Sequence, residues 1–232
     1  MKSSDVYEAG TTRLFQVLLK RGMTAVDVGA HIGYYTVLAS RLVGEEGRVY
    51  AFEPDPNTFA ILIENIKTKA LPNVLPIQKA IADRIGDATL YLGKERIDRV
   101  YDSGWNSLYK SEETGADNIE IPVTTLDEFF AANGWPRVDL IKMDIQGAEL
   151  AALEGARGLL SRSRGLKLIL EFEPELVRAA GIGPEQFVDR LTGLTLTVRV
   201  INDEGLESLQ LPNLLHRLES LTSVNLLCEY GG

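Results

Sequence analysis

The stretch Ala25-Val-Asp-Val-Gly-Ala-His-Ile-Gly-Tyr34 decides the fold of this chain. Its first half is an apolar run typical of a buried strand, and its second half is a glycine-bearing turn that continues into a helix. A second apolar run at residues 47–53 ends on Glu53. We expect Gly29 and Gly33 to let the backbone come close to a ligand, because a Cβ there would collide. The pattern predicts the strand–turn–helix–strand unit of a parallel α/β sheet.

The turn and the acid at the end of the second strand predict a nucleoside-bearing cofactor. Glu53 can accept hydrogen bonds from both hydroxyls of a ribose. The turn lacks the G-x-G spacing that makes room for a pyrophosphate. Asp27 would repel a pyrophosphate, yet it suits the ammonium and sulfonium of S-adenosylmethionine. The turn therefore favours S-adenosylmethionine over NAD or FAD, and a tight turn without a ligand is the remaining alternative.

Composition narrows the class of protein. A length of 232 residues with 45% hydrophobic residues suits one α/β domain, so residues 1–232 are predicted to form a single domain. The net charge of −9 argues against a nucleic-acid or anionic-membrane partner. Cys228 is the only cysteine, which excludes an intramolecular disulfide. Without an apolar leader or a run of 18 apolar residues, the chain is expected to be soluble and cytoplasmic.

Strand-like and helix-like segments alternate along the chain, which predicts a parallel sheet with helices on both faces. The predicted strands cover residues 24–28, 47–53, 74–80, 138–143, 166–172, 194–201 and 223–229, and residues 88–92 and 118–123 are expected to pair antiparallel. Helical spacing is present at residues 12–20, 32–43 and 184–191, and a further helix follows Ala148. Asp55 and Pro56 have the residue types of an N-cap and a first helical position. Residues 1–22 are predicted to form an N-terminal cap helix.

The predicted strand ends carry acids, and one loop between strands is long. Ligands of open α/β sheets bind outside the carboxyl ends of the strands, so these ends should form one electronegative rim. The residues at these ends are Asp27, Glu53, Ala80, Asp144, Glu171 and Glu173. The loop covers residues 93–117, is polar and contains Trp105. Because loops of this length are often lids over a binding site, this loop is a candidate substrate lid.

Six runs of residues, taken in order, resemble the FkbM-type family of S-adenosylmethionine-dependent methyltransferases. The runs are Tyr7-Glu-Ala-Gly-Thr-Thr-Arg13, Asp27-Val-Gly-Ala-His-Ile-Gly-Tyr34, Val49-Tyr-Ala-Phe-Glu-Pro54, Ala80-Ile-Ala-Asp83, Asp139-Leu-Ile-Lys-Met-Asp-Ile-Gln-Gly-Ala-Glu149 and Leu170-Glu-Phe-Glu-Pro174. The resemblance implies a Rossmann-like class I fold, with a seven-stranded, mostly parallel sheet whose last strand is antiparallel. It also implies O-methylation of a small-molecule or glycan acceptor such as a sugar or polyketide, with S-adenosylhomocysteine as the second product.

Two groups of binding residues follow from the motifs and the resemblance. The expected cofactor-binding residues are Tyr7, Glu8, Thr11, Asp27, Gly29, Ala30, Gly33, Tyr34, Glu53, Pro54, Ala80 and Asp144. The expected substrate-binding residues are Trp105, Asn106, Ser107, Glu171 and Glu173. Within these motifs His31 replaces the usual asparagine and Gln146 replaces the usual glutamate. An amide neither titrates nor ligates well, so an acid is missing from the second motif.

An alcohol acceptor must lose its proton, and a carboxylate or histidine within about 3 Å assists by roughly 10²–10⁴-fold. Asp144 is the first candidate for this base, and His31 is the reserve. Glu149 is a third candidate, for which a structural role in holding the loop is equally open. A divalent cation on Asp144, Glu171 and Glu173 is a less favoured alternative, because hard cations want more oxygen ligands.

Two rival functions remain. An NAD-dependent oxidoreductase is disfavoured by the missing G-x-G and by the lack of a recognisable Tyr-x-x-x-Lys proton relay. A catalytically silent cofactor-binding module is left open by Gln146.

Overall fold

A computed structural model of the protein describes residues 6–94, 103–112, 114–208, 213, 216 and 222–230. Residues 1–5 of the predicted cap, and residues 95–102 and 113 of the predicted lid, lie outside the described residues. The strands are β1 (Thr24–Val28), β2 (Arg48–Phe52), β3 (Val74–Ile77), β4 (Ala80–Ile81), β5 (Gly86–Gly93), β6 (Thr114–Thr124), β7 (Leu140–Met143), β8 (Lys167–Phe172), β9 (Leu196–Asn202), β10 (Gly205–Glu207) and β11 (Val224–Tyr230). The helices are α1 (Ala9–Leu18), α2 (Tyr34–Val43), α3 (Pro56–Thr68), α4 (Leu126–Ala132), α5 (Glu149–Glu154), α6 (Arg157–Arg162), α7 (Pro174–Ala179) and α8 (Pro184–Gly193).

The main sheet has the strand order β10-β9-β11-β8-β7-β1-β2-β3. Strands β8, β7, β1, β2 and β3 pair in parallel, whereas β11 runs antiparallel to both β8 and β9. The predicted Rossmann-like α/β fold with an antiparallel last strand is confirmed. The described residues add one short strand, β10, to the seven that were expected, and it pairs antiparallel with β9 at the edge of the sheet.

The register aligns the carboxyl ends of the three central strands. Val28 lies opposite Phe52 on one side and Met143 on the other. The residues that follow these strands therefore meet at one edge of the sheet. This alignment brings together acids that are far apart in the sequence.

A second sheet has the order β4-β6-β5, and its β5–β6 hairpin confirms the predicted antiparallel pairing. The prediction of one continuous strand over residues 74–80 is wrong. β3 ends at Ile77, a turn follows in which the Lys79 amide donates to the Ile77 carbonyl (3.0 Å), and β4 then joins the second sheet. The chain changes sheets within two residues, so Ala80 still lies beside the ends of the central strands.

Helices cover both faces of the main sheet. On one face, Phe15 of α1 and Tyr35 of α2 belong to an apolar cluster with strand residues such as Leu140. On the other face, Phe130 and Leu153 belong to the largest cluster. In the part of the chain that the structure describes, no helix is both long and apolar enough to cross a membrane.

Helix α3 begins as its sequence predicts. The Asp55 side chain accepts a hydrogen bond from the Asn57 amide at 3.0 Å, and proline occupies the first turn. Thr125 caps helix α4 by accepting a hydrogen bond from the Glu128 amide. Asp127 instead accepts the amides of Gly158 and Leu159, so it caps α6.

Candidate active site

A cavity of about 660 Å³ opens at the carboxyl ends of β1, β2, β7 and β8. This volume is typical of a small-molecule site. The expected site residues on its wall are Tyr7, Asp27, Gly29, Ala30, His31, Tyr34, Glu53, Pro54, Ala80, Trp105, Asn106, Asp144, Glu171 and Glu173. The expected site residues that do not line it are Glu8, Thr11, Gly33, Ser107 and Glu149. Most of the expected site is therefore assembled around one cavity.

Glu53 is held rigidly at the end of β2. Its two carboxylate oxygens accept hydrogen bonds from the backbone amides of His31 (2.9 Å) and Asp55 (3.0 Å). The side chain is only 6% exposed, and burial raises its pKa to about 7 against the pull of these amides. Each oxygen keeps a second lone pair, so the carboxylate can accept two further hydrogen bonds from the cavity.

The turn after β1 needs glycine for contacts within the protein. Gly29 has φ +79°, and a Cβ there would lie 2.0 Å from the carbonyl oxygen of Asp144. At Gly33, with φ +97°, a Cβ would meet Leu62 at 2.7 Å. The expectation that these glycines make room for a ligand is thus corrected: they make room for neighbouring elements.

His31 has a positive φ of 52°. Asparagine and histidine are among the non-glycine residues enriched in this left-handed region. The backbone conformation therefore accounts for the replacement of the usual asparagine by His31. Its amide binds Glu53, which gives the residue a role in orienting that carboxylate.

Lys142 is a site residue that the sequence analysis missed. It is 2% exposed, its Nζ donates to Asp144 Oδ2 at 2.8 Å, and it lies 4.7 Å from the centre of the Tyr35 ring. Burial opposes its charge, but the carboxylates of Asp144 and Asp27 outweigh burial and raise its pKa. A lysine within an otherwise apolar parallel strand was the available signal, because a buried ammonium requires a partner.

Asp27 faces this ammonium from β1. It is 4% exposed and accepts a hydrogen bond of 2.6 Å from the hydroxyl of Thr36 in α2. Burial raises its pKa, while Lys142 and Thr36 oppose that shift. The bottom of the cavity thus holds two carboxylates, of Asp27 and the half-buried Asp144, around one buried ammonium.

A bridge of hydrogen bonds joins Asp144 to Glu171. The Gln146 side-chain amide donates to Asp144 Oδ1 at 3.0 Å and to Glu171 Oε2 at 2.8 Å. Burial disfavours the charge of Asp144, but the Lys142 ammonium and hydrogen bonds from Glu171, Lys142 and Gln146 lower its pKa to about 2. The pKa of Glu171 is raised well above its usual value by burial and by the nearby Asp144 carboxylate. Glu171 is therefore the acid of this pair that holds a proton more readily.

Glu8 joins the same acid group from the N-terminal segment. One of its oxygens accepts from the Tyr35 hydroxyl (2.6 Å) and from the Asn225 amide (2.9 Å). Carboxylate oxygens of Glu8, Asp144 and Glu171 lie within 4.8 Å of one another. The set weighed for a divalent cation is thus corrected, because Glu8 and not Glu173 completes this group among the described residues. The Lys142 ammonium already supplies positive charge to it.

The described part of the long loop is attached to the site. The Asn106 side chain donates to Asp55 (3.0 Å) and accepts from the Gly93 amide (2.8 Å). The Ser107 hydroxyl donates to the Gln146 carbonyl at 2.6 Å, and the side chain is buried. Asn106 reaches the cavity, whereas Ser107 anchors the loop behind it.

Glu149 is buried behind the cavity. Its Oε1 accepts hydrogen bonds from the backbone amides of Ile145 (3.0 Å) and Gly147 (3.4 Å). Burial raises its pKa to about 7. These contacts support the structural role that the sequence left open, in which Glu149 holds the loop after β7.

Comparison with known proteins decides the family. The sequence model of the methyltransferase FkbM domain matches residues 27–190. The chain belongs to the FkbM methyltransferase family. The match covers the turn after β1, Glu53, the Lys142–Gln146 segment and Glu171.

Curated relatives of this FkbM-family protein include two methyltransferases. Hexuronic acid methyltransferase AglP of Haloferax volcanii is 28% identical over 134 residues, which cover 58% of this chain and 50% of AglP. The 31-O-demethyl-FK506 methyltransferase FkbM of Streptomyces tacrolimicus is 29% identical over 161 residues, which cover 60% of this chain and 61% of that protein. The chain thus spans between half and three fifths of these relatives' lengths.

Solved structures share the fold. The methyltransferase FkbM from Methylobacillus flagellatus matches with a TM-score of 0.56 at 15% identity, over 94% of this chain and 50% of that one. A Streptococcus mutans protein solved in complex with S-adenosylhomocysteine matches with a TM-score of 0.52 at 14% identity, over 94% of both chains. At such identities the likeness concerns the fold.

Proposed function

We propose that this FkbM-family protein transfers a methyl group from S-adenosylmethionine to a hydroxyl of a small molecule or glycan. The observation that carries the proposal is Glu53, which is fixed by two backbone amides and opens onto the same cavity as Asp144 and Glu171. A carboxylate held in this way is suited to a ribose diol. The acids at the other ends of the strands are suited to a cationic amino-acid portion.

The residues on the cavity wall fit this cofactor better than a dinucleotide. The wall carries the acids Asp27, Glu53, Asp144, Glu171 and Glu173, whereas its lysines are Lys79 and Lys142. Lys142 is already neutralised by Asp144. A pyrophosphate would be repelled by this balance of charge, which supports the proposal over an NAD-dependent oxidoreductase.

Each part of the cavity has a proposed role. Glu53 binds the ribose hydroxyls, and Pro54 and Ala80 border the same end of the cavity. Asp27, Lys142 and Asp144 form the charged floor that would hold the amino-acid portion. Trp105 and Asn106 close the cavity from the loop side, where the acceptor is expected to bind.

When bound, S-adenosylmethionine supplies a methyl group on a positively charged sulfur, with a neutral thioether as the leaving group. The protein's part is to align the acceptor hydroxyl with that methyl group and to receive the hydroxyl proton. Alignment alone supplies effective molarities of roughly 10⁵ M or more. The acid pair Asp144 and Glu171 provides the proton acceptor.

The test is an acceptor screen scored by release of S-adenosylhomocysteine. The panel contains hexuronic acids, neutral sugars and polyketide alcohols, because the relatives AglP and FkbM are named for a hexuronic acid and for a demethylated FK506. We expect release that depends on one class of acceptor and persists in EDTA. Binding of S-adenosylhomocysteine without turnover of any hydroxyl acceptor would support the silent module instead.

A further inference from the structure

Asp144 and Glu171 face each other in the cavity, and their hydrogen bonds differ. Asp144 has both oxygens engaged, since Lys142 donates to Oδ2 at 2.8 Å and Gln146 donates to Oδ1 at 3.0 Å. The ammonium that contacts Asp144 is buried, so separating the two groups would leave an unpaired charge inside the protein. A carboxylate paired with a buried ammonium is a weak base, because protonation would break that pair.

Glu171 has a different set of partners. Its Oε2 accepts from the Gln146 amide at 2.8 Å, and its Oε1 accepts from the Ser223 hydroxyl at 2.9 Å. Neither of these two partners is charged. The third neighbour is Asp144, whose hydrogen bond with Glu171 favours the protonated form of Glu171. Ser223 is exposed and lines the cavity, so its hydroxyl contacts Glu171 from the side that faces the ligand space.

We propose that Glu171 is the base of the reaction, and that the Ser223 hydroxyl marks the position from which an acceptor hydroxyl donates to Glu171 Oε1. This inference rests on the proposed function, and it names Glu171 in place of Asp144, which the sequence predicted as the base. In the step, the acceptor oxygen forms a bond to the methyl carbon as the carbon–sulfur bond breaks. The electron pair of that bond stays on sulfur, and the hydroxyl proton passes to Glu171. Cation, alcohol and carboxylate thus give thioether, methyl ether and carboxylic acid, with charge conserved.

The groups around Glu171 favour its taking up a proton. Asp144 approaches from β7, Glu8 from the N-terminal segment and Glu149 from α5, and all three are acids. Lys142 is the opposing cation, but its direct contact is with Asp144. Burial of the site and this surplus of negative charge raise the pKa of Glu171 well above its usual value, which favours its uptake of the hydroxyl proton.

Gln146 is the positioning residue of this arrangement. Its side-chain nitrogen carries two N–H groups and fixes the separation of the two acids by donating to both. A glutamate at this position could donate to only one of them, and only when protonated. Its backbone is held in turn by the Ser107 hydroxyl, which donates to the Gln146 carbonyl. The replacement of the usual glutamate thus leaves Glu171 as the acid that receives the proton.

The decisive variant is Glu171→Gln, compared with Glu175→Gln. Glu175 lies on α7, is exposed and does not line the cavity, so the control removes the same charge outside the site. With the best acceptor from the screen, we expect kcat of Glu171→Gln to fall by about 10²-fold or more. The dissociation constant for S-adenosylhomocysteine should stay within about threefold in calorimetry, and Glu175→Gln should match the wild type.

A pH profile separates a base from a structural residue. The wild type should gain kcat as pH rises through the pKa of Glu171, and Glu171→Gln should lose that rise. Glu171→Asp, which keeps the acid, should retain the rise at lower kcat, and it serves as the second variant if the amide fails to fold. Retained kcat and retained pH dependence in Glu171→Gln would overturn the inference while leaving the proposed function intact.

A measurement on the free protein needs no acceptor. Infrared difference spectra over pH 5–9 should show carbonyl bands of protonated carboxyl groups that are weaker in Glu171→Gln than in the wild type, since Glu53 and Glu149 also titrate near pH 7 and contribute to both spectra. Identical spectra for the two proteins would show that Glu171 does not hold a titrating proton, and the inference would fail. Failure of the proposed function would appear separately, as no binding of S-adenosylhomocysteine to the wild type or as binding without turnover of any acceptor.

Discussion

Glu53→Gln is the substitution whose effect follows most directly from the structure. It keeps the size of the side chain but replaces one acceptor oxygen by a donor. That donor must face either the His31 amide or the Asp55 amide, each of which now donates to the carboxylate at 2.9–3.0 Å. A hydrogen bond to a charged group contributes about 1.5–3 kcal/mol. Loss of one such bond to the ribose should weaken binding by about 10–150-fold.

The assay compares two nucleosides on two proteins. Adenosine and 2′-deoxyadenosine differ by one ribose hydroxyl, so their affinity ratio isolates the contact with Glu53. In the wild type at pH 8 we expect adenosine to bind about 10-fold or more tightly than 2′-deoxyadenosine. In Glu53→Gln that preference should shrink to about threefold or less. An unchanged ratio would remove Glu53 from the ribose site and refute the reasoning.

The pH dependence gives a second check on Glu53. Burial raises the pKa of Glu53 to about 7, and the ionised carboxylate is the better acceptor for ribose hydroxyls. The affinity for adenosine should therefore fall about tenfold between pH 8 and pH 6, because the protonated fraction rises in that interval. The Glu53→Gln protein should bind equally weakly at both pH values.

Three further predictions concern the turn, stability and the loop. Gly29→Ala should lower the free energy of unfolding by about 3 kcal/mol or more beyond the loss in the control Gly134→Ala, as measured with denaturant. Both glycines have φ near +78°, but only at Gly29 would a Cβ lie 2.0 Å from a carbonyl oxygen. Equal losses in the two variants would contradict the packing argument. The melting temperature of the free protein should fall from pH 5 to pH 8, because the folded pKa of Glu149 is about 7 and the stability that comes from a raised carboxyl pKa is lost as pH rises through that value. Glu149→Gln should make that fall smaller, and a melting temperature that rises with pH in the wild type would contradict the prediction. Hydrogen exchange at residues 105–109 should slow when cofactor and acceptor bind. Ser107→Ala should speed this exchange in the free protein, because the Gln146 carbonyl loses its hydrogen-bond donor. Equal protection in all of these states would contradict the prediction that the loop is a lid.

Local features of the fold could be predicted closely from the sequence. The bounds of β1 are those expected, and Asp55 caps α3 as expected. Both depend on a few neighbouring residues, namely an apolar run that ends at a glycine turn and a polar residue before a proline. The position of Glu53 at the end of β2 could also be predicted, because parallel strands place their carboxyl ends at one edge of the sheet.

The chemistry between distant residues could not be predicted in the same way. The Glu8 carboxylate binds Asn225, which is 217 positions away, and no local pattern carries that contact. Lys142 and Asp144 are close in the sequence, but the burial of the Lys142 ammonium depends on packing against Tyr35, which is distant in the sequence. The contact that requires glycine at position 29 also lies outside its own turn, because it is made with the Asp144 carbonyl after β7. These contacts, and not the motif alone, distinguish Glu171 from Asp144.

Calorimetric titration of the wild-type protein with S-adenosylhomocysteine and with NAD at pH 8 tests the central claim most directly. The arrangement of Glu53, Asp27 and Asp144 around one cavity predicts saturable, one-site binding of S-adenosylhomocysteine, with no heat from NAD at the same concentrations. Saturable binding of NAD, together with the absence of binding by S-adenosylhomocysteine, would contradict the account.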